Sequence, residues 1–169
     1  MNLRSRICAL ARPAKLIILL PVMLAACASD KASEPLTLDD FATQYTAAWC
    51  SHNATVVASF FDPDGSLQIN HGNPSVGRRA IRVSVQKFMT EFPDLIIKMD
   101  TLTGDSSQAT YHWTLTGTNT APGGTGKPVR ISGYEEWRFG ADHHIVESKG
   151  HFDEADYQRQ LKAGAVGST

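Results

Sequence analysis

Between residues 130 and 139 the odd positions are Ile131, Gly133, Glu135, Trp137 and Phe139, and the even ones are Arg130, Ser132, Tyr134, Glu136 and Arg138. Alternation with period two belongs to a half-buried strand, and the odd side carries the large apolar groups, so it is the side that packs. Glu135 is therefore turned into the protein beside Trp137. A carboxylate taken out of water must be paired, hydrogen-bonded or neutral. Two chemistries fit: an acid of raised pKa on a pocket wall, able to exchange a proton with a bound molecule, or a structural carboxylate tied to a buried partner. The second residue with chemical potential is Tyr45, in the helical stripe Phe41, Tyr45, Trp49. A buried phenol needs a partner, and Glu135 or a ligand shared with it would supply one.

The elements on either side must position these two groups. Residues 108–118 place Tyr111, Trp113 and Leu115 on one strand face and Thr110, His112, Thr114 and Thr116 on the other. Residues 144–152 place Val146, Ser148, Gly150 and Phe152 together, opposite Glu147, Lys149 and His151. With Val146 and Phe152 inside, Ser148 and Gly150 leave space in a core that would otherwise fill to crystal-like density, which predicts a pocket there.

Ahead of these strands, Thr37 reads as the N-cap of a helix ending near Ser51, with Phe41, Tyr45, Ala48 and Trp49 at helical spacing. A short helix over 54–61, a turn at 62–65 and a short strand over 66–70 follow. Ile81, Val85, Phe88, Met89 and Phe92 mark one face of a helix over 76–92, which Pro93 ends; Arg78, Arg79 and Arg82 are its solvated side. A strand over 95–103 precedes the three described, 121–127 is a hairpin loop, and a helix over 153–162 stops at Gly164. The order predicts an α+β domain over 37–163: a curved antiparallel sheet covered by three to four helices, with a ligand on the concave side.

Residues 1–26 read as a secretory signal, since Arg4, Arg6, Arg12 and Lys15 precede an apolar run too short to span a bilayer as a helix. Their end, Leu24-Ala25-Ala26-Cys27, resembles the bacterial lipobox, which implies lipidation of Cys27, with 27–36 a tether. Cleavage takes four of the 16 Lys and Arg and none of the 17 Asp and Glu, leaving a net charge of −5 and no basic stripe for nucleic acid. Cys8 leaves with the signal and Cys27 is acylated, so Cys50 has no disulfide partner. The implied location is the cell envelope, at the periplasmic face of the outer membrane in a Gram-negative source, because Ala28 and Ser29 lack a retaining aspartate.

Other motifs exclude more than they assign. Ala121 to Lys127 fits a phosphate loop up to Gly126-Lys127, but Pro128 stands where a Ser or Thr must hold magnesium, and a strand follows. The six histidines contain no helical i, i+4 pair for zinc. Gly104-Asp105-Ser106 sits in a turn without an oxyanion device. No metal or cofactor is implied.

The order of elements, with Gly117-Thr118-Asn119-Thr120, the 124–128 loop, Glu135-Glu136-Trp137-Arg138-Phe139, Ile145-Val146-Glu147 and the segment 152–161, resembles the nuclear transport factor 2-like superfamily and, within it, the SnoaL-like proteins that include polyketide and ester cyclases. The resemblance implies a cone-shaped α+β barrel with a pocket between sheet and long helices, used for isomerisation, cyclisation, dehydration or binding alone. By the same resemblance Tyr45 matches a carbonyl-donating tyrosine and Glu135 the strand acid beside it. The isomerase base falls near Asn70, an amide that cannot take a proton from carbon. The cyclase histidine and aspartate of the last strand become Ser148 and Gly150, and the histidine after the glycine becomes Asn119.

The pocket so implied is formed by Trp49, Asn70, Trp113, Trp137, Ser148 and Phe152 around Glu135 and Tyr45. Two functions stay open. One is a lipid-anchored module that binds a small, mainly apolar molecule. The other is a metal-free isomerase, cyclase or lyase acting on a small carbonyl compound through Glu135 and Tyr45. A homodimer through the sheet face carrying Tyr134, Glu136 and Arg138 is also expected.

Overall fold

The computed structural model describes residues 36–165 of the 169-residue chain. The proposed signal, Cys27 and nearly all of the tether lie outside the described residues. In order come α1 (Leu38–Cys50), α2 (Ala54–Ser59), β1 (Phe61–Ile69), β2 (Ser75–Val76), α3 (Arg78–Glu91), β3 (Ile96–Gly104), β4 (Gln108–Thr118), β5 (Pro128–Phe139), β6 (Ile145–Phe152) and α4 (Glu154–Ala163). The six strands form one sheet in the order β2-β1-β6-β5-β4-β3. The sheet is curved but does not close, and the four helices complete the cone.

The last four strands make the expected antiparallel meander. One pairing departs from an all-antiparallel sheet, because β1 runs parallel to β6, with Ser66 opposite Glu147 and Ile69 opposite Gly150. The chain reaches β1 first and closes the meander with β6 last, so the helical crossover between them makes a parallel contact possible.

Capping explains the helix starts. The Thr37 hydroxyl accepts the Asp40 N–H at 3.1 Å and donates to the Asp40 carboxylate at 2.6 Å, so α1 begins at an N-cap tied twice to the same residue. Phe41, Ala42, Tyr45, Ala48 and Trp49 are all buried, as a single stripe requires. Asp153 caps α4 through the Asp156 N–H, and Gly164 ends it at φ +87°, a conformation that costs glycine least. Helix α3 starts at Gly77 without a side-chain cap, and Arg78 donates from Nε to the Phe61 carbonyl at 2.6 Å. Arg78 is thus half-buried and bonded to β1, not a solvated residue beside Arg79 and Arg82.

Three strand details differ from the sequence reading. Residues 62–65 lie within β1, where the register shifts between Phe61 and Ser66, so a bulge replaces the expected turn. A second irregularity at Arg138/Phe139 pairs Phe139 with Ile145, so Ile145 is fully buried in the place expected for Val146. Thr114, expected on the outer face, is buried there, its hydroxyl donating to Asp100 at 2.6 Å and accepting from Ser132 at 2.8 Å.

Candidate functional site

The inner faces of β5 and β6, together with helix α1, bring one acid and three donors together. Glu135 lies opposite Tyr111 on β4 and Gly150 on β6, and Trp137 lies opposite Ser148. Because a strand presents i and i+2 on the same face, Trp137 stands next to Glu135 and its indole Nε1 donates to Oε2 at 2.9 Å. Ser148 donates to the same oxygen at 2.7 Å. Tyr45, reaching down from α1, donates to Oε2 at 3.1 Å and lies 3.4 Å from Oε1. Glu135 is 6% exposed, while Tyr45 and Ser148 are fully buried.

Among the described residues no cation touches this carboxyl. Burial pushes its pKa above the ordinary glutamate value, and the donors from Trp137, Ser148 and Tyr45 pull the other way. Burial and the nearby Glu135 charge push the Tyr45 phenol well up, so it stays protonated and donating. Oε2 takes all the short bonds and Oε1 only the long contact, so Oε1 retains capacity to accept a hydrogen or to hold the proton of a neutral acid.

Aromatic packing fixes the donors. The Tyr45 ring meets Trp137 edge-on at 5.0 Å and Tyr111 edge-on at 5.7 Å. Tyr111 stacks on Trp137 at 4.7 Å with 14° between planes. The Tyr111 hydroxyl lies 2.7 Å from Thr46 Oγ1, whose own hydrogen goes to the Ala42 carbonyl, so Tyr111 is the donor in that pair.

In front of Glu135 is a partly enclosed cavity of about 50 Å³, walled by Trp49, Phe88, Trp113, Phe152 and other apolar side chains, with Gly150 presenting only backbone. Glu135 is the one carboxyl on its wall among the described residues. Ligand pockets commonly hold roughly 300–1,000 Å³, so this one admits only a few heavy atoms unless a wall moves. The Trp113 indole Nε1 is buried within the packing and has no hydrogen-bond partner among the described residues. Such a group costs about 1–3 kcal/mol until something accepts from it.

The residues expected around the pocket therefore separate into three positions. Trp49, Trp113, Phe152 and Glu135 wall the cavity. Tyr45, Trp137 and Ser148 lie behind Glu135 as its donors, so the Tyr45 hydroxyl is spent on the carboxyl and does not face a ligand. Asn70 is outside the cavity. It closes β1 at φ +48°, its amide oxygen accepting the Phe152 N–H at 2.9 Å and its nitrogen donating to Glu154 at 3.1 Å. Tyr111 and Phe88 belong to the wall without having been singled out. Inward alternation had marked Tyr111, and helical spacing Phe88, but neither signal separates cavity lining from core.

Larger depressions lie elsewhere. A cleft of about 370 Å³ runs past Phe41, Phe60 and Phe139, where Asp142 and His144 pair with each other at 2.8 Å and no acid is buried. An open basin of about 840 Å³ beside Asn70, Tyr134 and Glu154 shares Ile69 and Phe152 with the cavity.

Comparison with known proteins agrees with this architecture. A family model described as SnoaL-like domain matches residues 42–148, from within α1 to within β6. A Catenulispora acidiphila protein with a ketosteroid isomerase-like fold, solved with trimethylamine, superposes at TM-score 0.65 and 15% identity, over 77% of this chain and 97% of its own. A Jannaschia protein assigned as a SnoaL-like polyketide cyclase gives 0.63 and 12%, over 78% and 96%. The Streptomyces galilaeus protein AclR, assigned as a hydroxylase, gives 0.63 and 20%, over 73% and 93%. At these identities the likeness is one of fold. No curated protein matches the sequence.

Proposed function

The chain belongs to the SnoaL-like domain family, and from that premise we propose that it binds a small, mainly apolar molecule in its cone cavity, held at one point by Glu135, without catalysing a reaction on it. The observation that carries this reading is the arrangement of Glu135: three neutral donors fix it from behind while the rest of its surroundings are apolar cavity. A fixed acid on an apolar wall orients a ligand. General acid–base catalysis needs a proton to be moved at a second position as well, and the other hydroxyls near Glu135 are committed, Tyr45 and Ser148 to the acid and Tyr111 to Thr46. Asn119 does not supply it either, since its side chain accepts from Thr125 in the loop after β4.

The alternative is an isomerase, cyclase or dehydratase acting on a small carbonyl compound. It is favoured by the raised pKa of Glu135, which suits a group that takes up and returns a proton. Mass spectrometry of the protein isolated gently from its source separates the two. Binding predicts one recurrent small molecule, carried unchanged. A carbonyl compound that the wild type transforms and Glu135→Gln does not would replace the binding reading with the enzymatic one.

The anchor and the pairing of chains are further parts of the proposal. The Leu24 to Cys27 motif supports lipidation of Cys27 and retention in the envelope. Cys27→Ser would then leave an uncleaved precursor without acyl label, and a normally matured mutant would refute the anchor. The outer face of β5, where Tyr134 is 36% exposed between His112 and His151, supports a homodimer. Sedimentation showing only monomer at tens of micromolar would refute that pairing.

A further inference from the structure

The helices of this fold treat their own dipoles in opposite ways. Helices α1 and α4 open with acids, Asp39 and Asp40 in one and Glu154 and Asp156 in the other, where the positive end of a helix favours them. Helix α3 opens with Arg78 and Arg79, adds Arg82 a turn later, and has no acid in its first turn. The bond from Arg78 to the Phe61 carbonyl gives that residue a structural task. Arg79 and Arg82 are exposed, and with Lys87 they make no ion pair among the described residues. Cations gathered at the positive end of a helix are a feature that fold stability does not ask for, and such departures mark functional surfaces.

Helical spacing puts these groups on one side. Positions 79, 82, 83, 86, 87 and 90 are all exposed, opposite the buried Ile81, Val85 and Met89. The stripe holds three bases and no acid. Val83, 48% exposed, lies within it, and Val76, 64% exposed, stands on β2, which packs against α3. The rest of the chain has the opposite sign. After residue 26, α3 takes four bases and one acid, Glu91, while the remainder has eight bases and sixteen acids, so +3 on this helix stands against −8 elsewhere.

A domain charged in this way has one preferred face toward an anionic surface, because the stripe is attracted and the acidic remainder repelled. An anchor at Cys27 brings such a surface within reach, since the nine residues from Cys27 to Leu36 span at most about 30 Å fully extended. Acyl chains hold a domain at a bilayer without orienting it; a basic face adds the second attachment and the orientation. We infer that the outer face of α3 lies on the anionic phospholipid headgroups of the membrane, with Arg79, Arg82 and Lys87 against the phosphates and Val83 between them. This rests on the proposed anchor only for bringing the chain to a bilayer.

The mature chain, 27–169, contains the whole of the buried core, and coupling its Cys27 thiol to a maleimide-bearing phospholipid reproduces the tether whether or not the cell acylates it. A Cys50→Ser background removes the competing thiol and keeps a donor for the Ile97 carbonyl. The coupled protein is displayed on vesicles of phosphatidylcholine alone or of equal parts phosphatidylcholine and phosphatidylglycerol, treated with an amine-acetylating reagent, and read lysine by lysine by mass spectrometry. Each base near an anionic surface contributes roughly a fivefold preference, so acetylation of Lys87 should slow about tenfold on the phosphatidylglycerol vesicles and recover in high salt. Lys149 and Lys162, exposed on other elements, should react alike on both. Replacing both arginines, Arg79→Ala with Arg82→Ala, should remove most of the protection. Equal labelling of Lys87 on the two surfaces, or protection of Lys149 in its place, would overturn the inference. Protection of Lys87 on both vesicles that rises with protein density would also overturn it, and would put a second copy of the chain on α3. The anchor itself is judged separately, by Cys27→Ser in the cell.

Discussion

Glu135 and Glu136 are consecutive, chemically identical and opposite in every physical respect. Glu136 points to the outer face, where its side chain is 57% exposed and its carboxylate lies 3.3 Å from His151 Nε2. Glu135 points into the cone, loses its water and receives three neutral donors in exchange. One step along a strand therefore decides whether a carboxyl is part of a solvated surface or a group whose proton affinity the fold controls. The kind of partner matters as much as burial. A buried carboxylate beside an arginine is held ionised, whereas one beside a phenol, an indole and a hydroxyl keeps a raised pKa.

The contrast is broken most severely by removing what supports the inner acid. Trp137→Ala deletes a fully buried indole and one of the three donors, and should cost about 3–5 kcal/mol in denaturant unfolding. Arg138→Ala, one position on and exposed, should stay within about 0.5 kcal/mol. Ser148→Ala is the finer cut. It removes the 2.7 Å donor with little change of volume and should cost about 1–3 kcal/mol at neutral pH. The loss should shrink in acid, because a protonated Glu135 needs that donor less. A Ser148→Ala cost that is the same at pH 5 and pH 8 would mean that Glu135 does not change protonation between them.

The inner face of β5 was legible because period-two alternation is local: Ile131, Glu135 and Trp137 are buried as read, and Tyr45, placed by helical spacing ninety residues earlier, does meet Glu135 at 3.1 Å. Position along a strand was less legible where register shifts. Ile145 displaces Val146 because a bulge adds a residue, and nothing in the spacing of 144–152 announces it. Asn70 was placed in the pocket by resemblance, but its side chain is captured by Phe152 and Glu154 at the end of β1, a long-range arrangement that local pattern does not encode. The division of the aromatic residues between cavity wall and backing depends on the curvature of the sheet. Trp113 and Trp137 therefore look alike in sequence and differ in the structure.

Glu135→Gln sharpens the comparison without dismantling the site. With its amide oxygen in the Oε2 position Gln can accept from Ser148, Trp137 and Tyr45, and its nitrogen then occupies the Oε1 position, so it imitates the neutral acid. The folded pKa lies above the unfolded one, so the native state holds its proton while the unfolded chain releases it. Wild-type stability is then full below the ordinary glutamate value and falls as pH climbs toward the folded value. Gln escapes that fall. Glu135→Gln should match the wild type in acid and exceed it above neutrality, by less than Ser148→Ala loses. A variant less stable than the wild type at pH 8 would show that the ionised carboxylate is preferred in the folded state.

The smallest effect belongs to Glu136→Gln, and its smallness is the informative part. The pair with His151 is exposed, and exposed pairs contribute about 0–1 kcal/mol before screening by salt. Chain stability should change by no more than a few tenths of a kcal/mol, with a weak dependence on ionic strength. The imidazole of His151 stacks on Tyr134 at 4.8 Å whether or not position 136 is charged, so the outer row His112, Tyr134, His151 should survive the change. Denaturant titrations of the two Gln variants at low and high salt provide the check. If Glu136→Gln moved stability as much as Glu135→Gln does, the outer face would be buried in solution, and the proposed pairing of two chains through β5 would be the first place to look for what covers it.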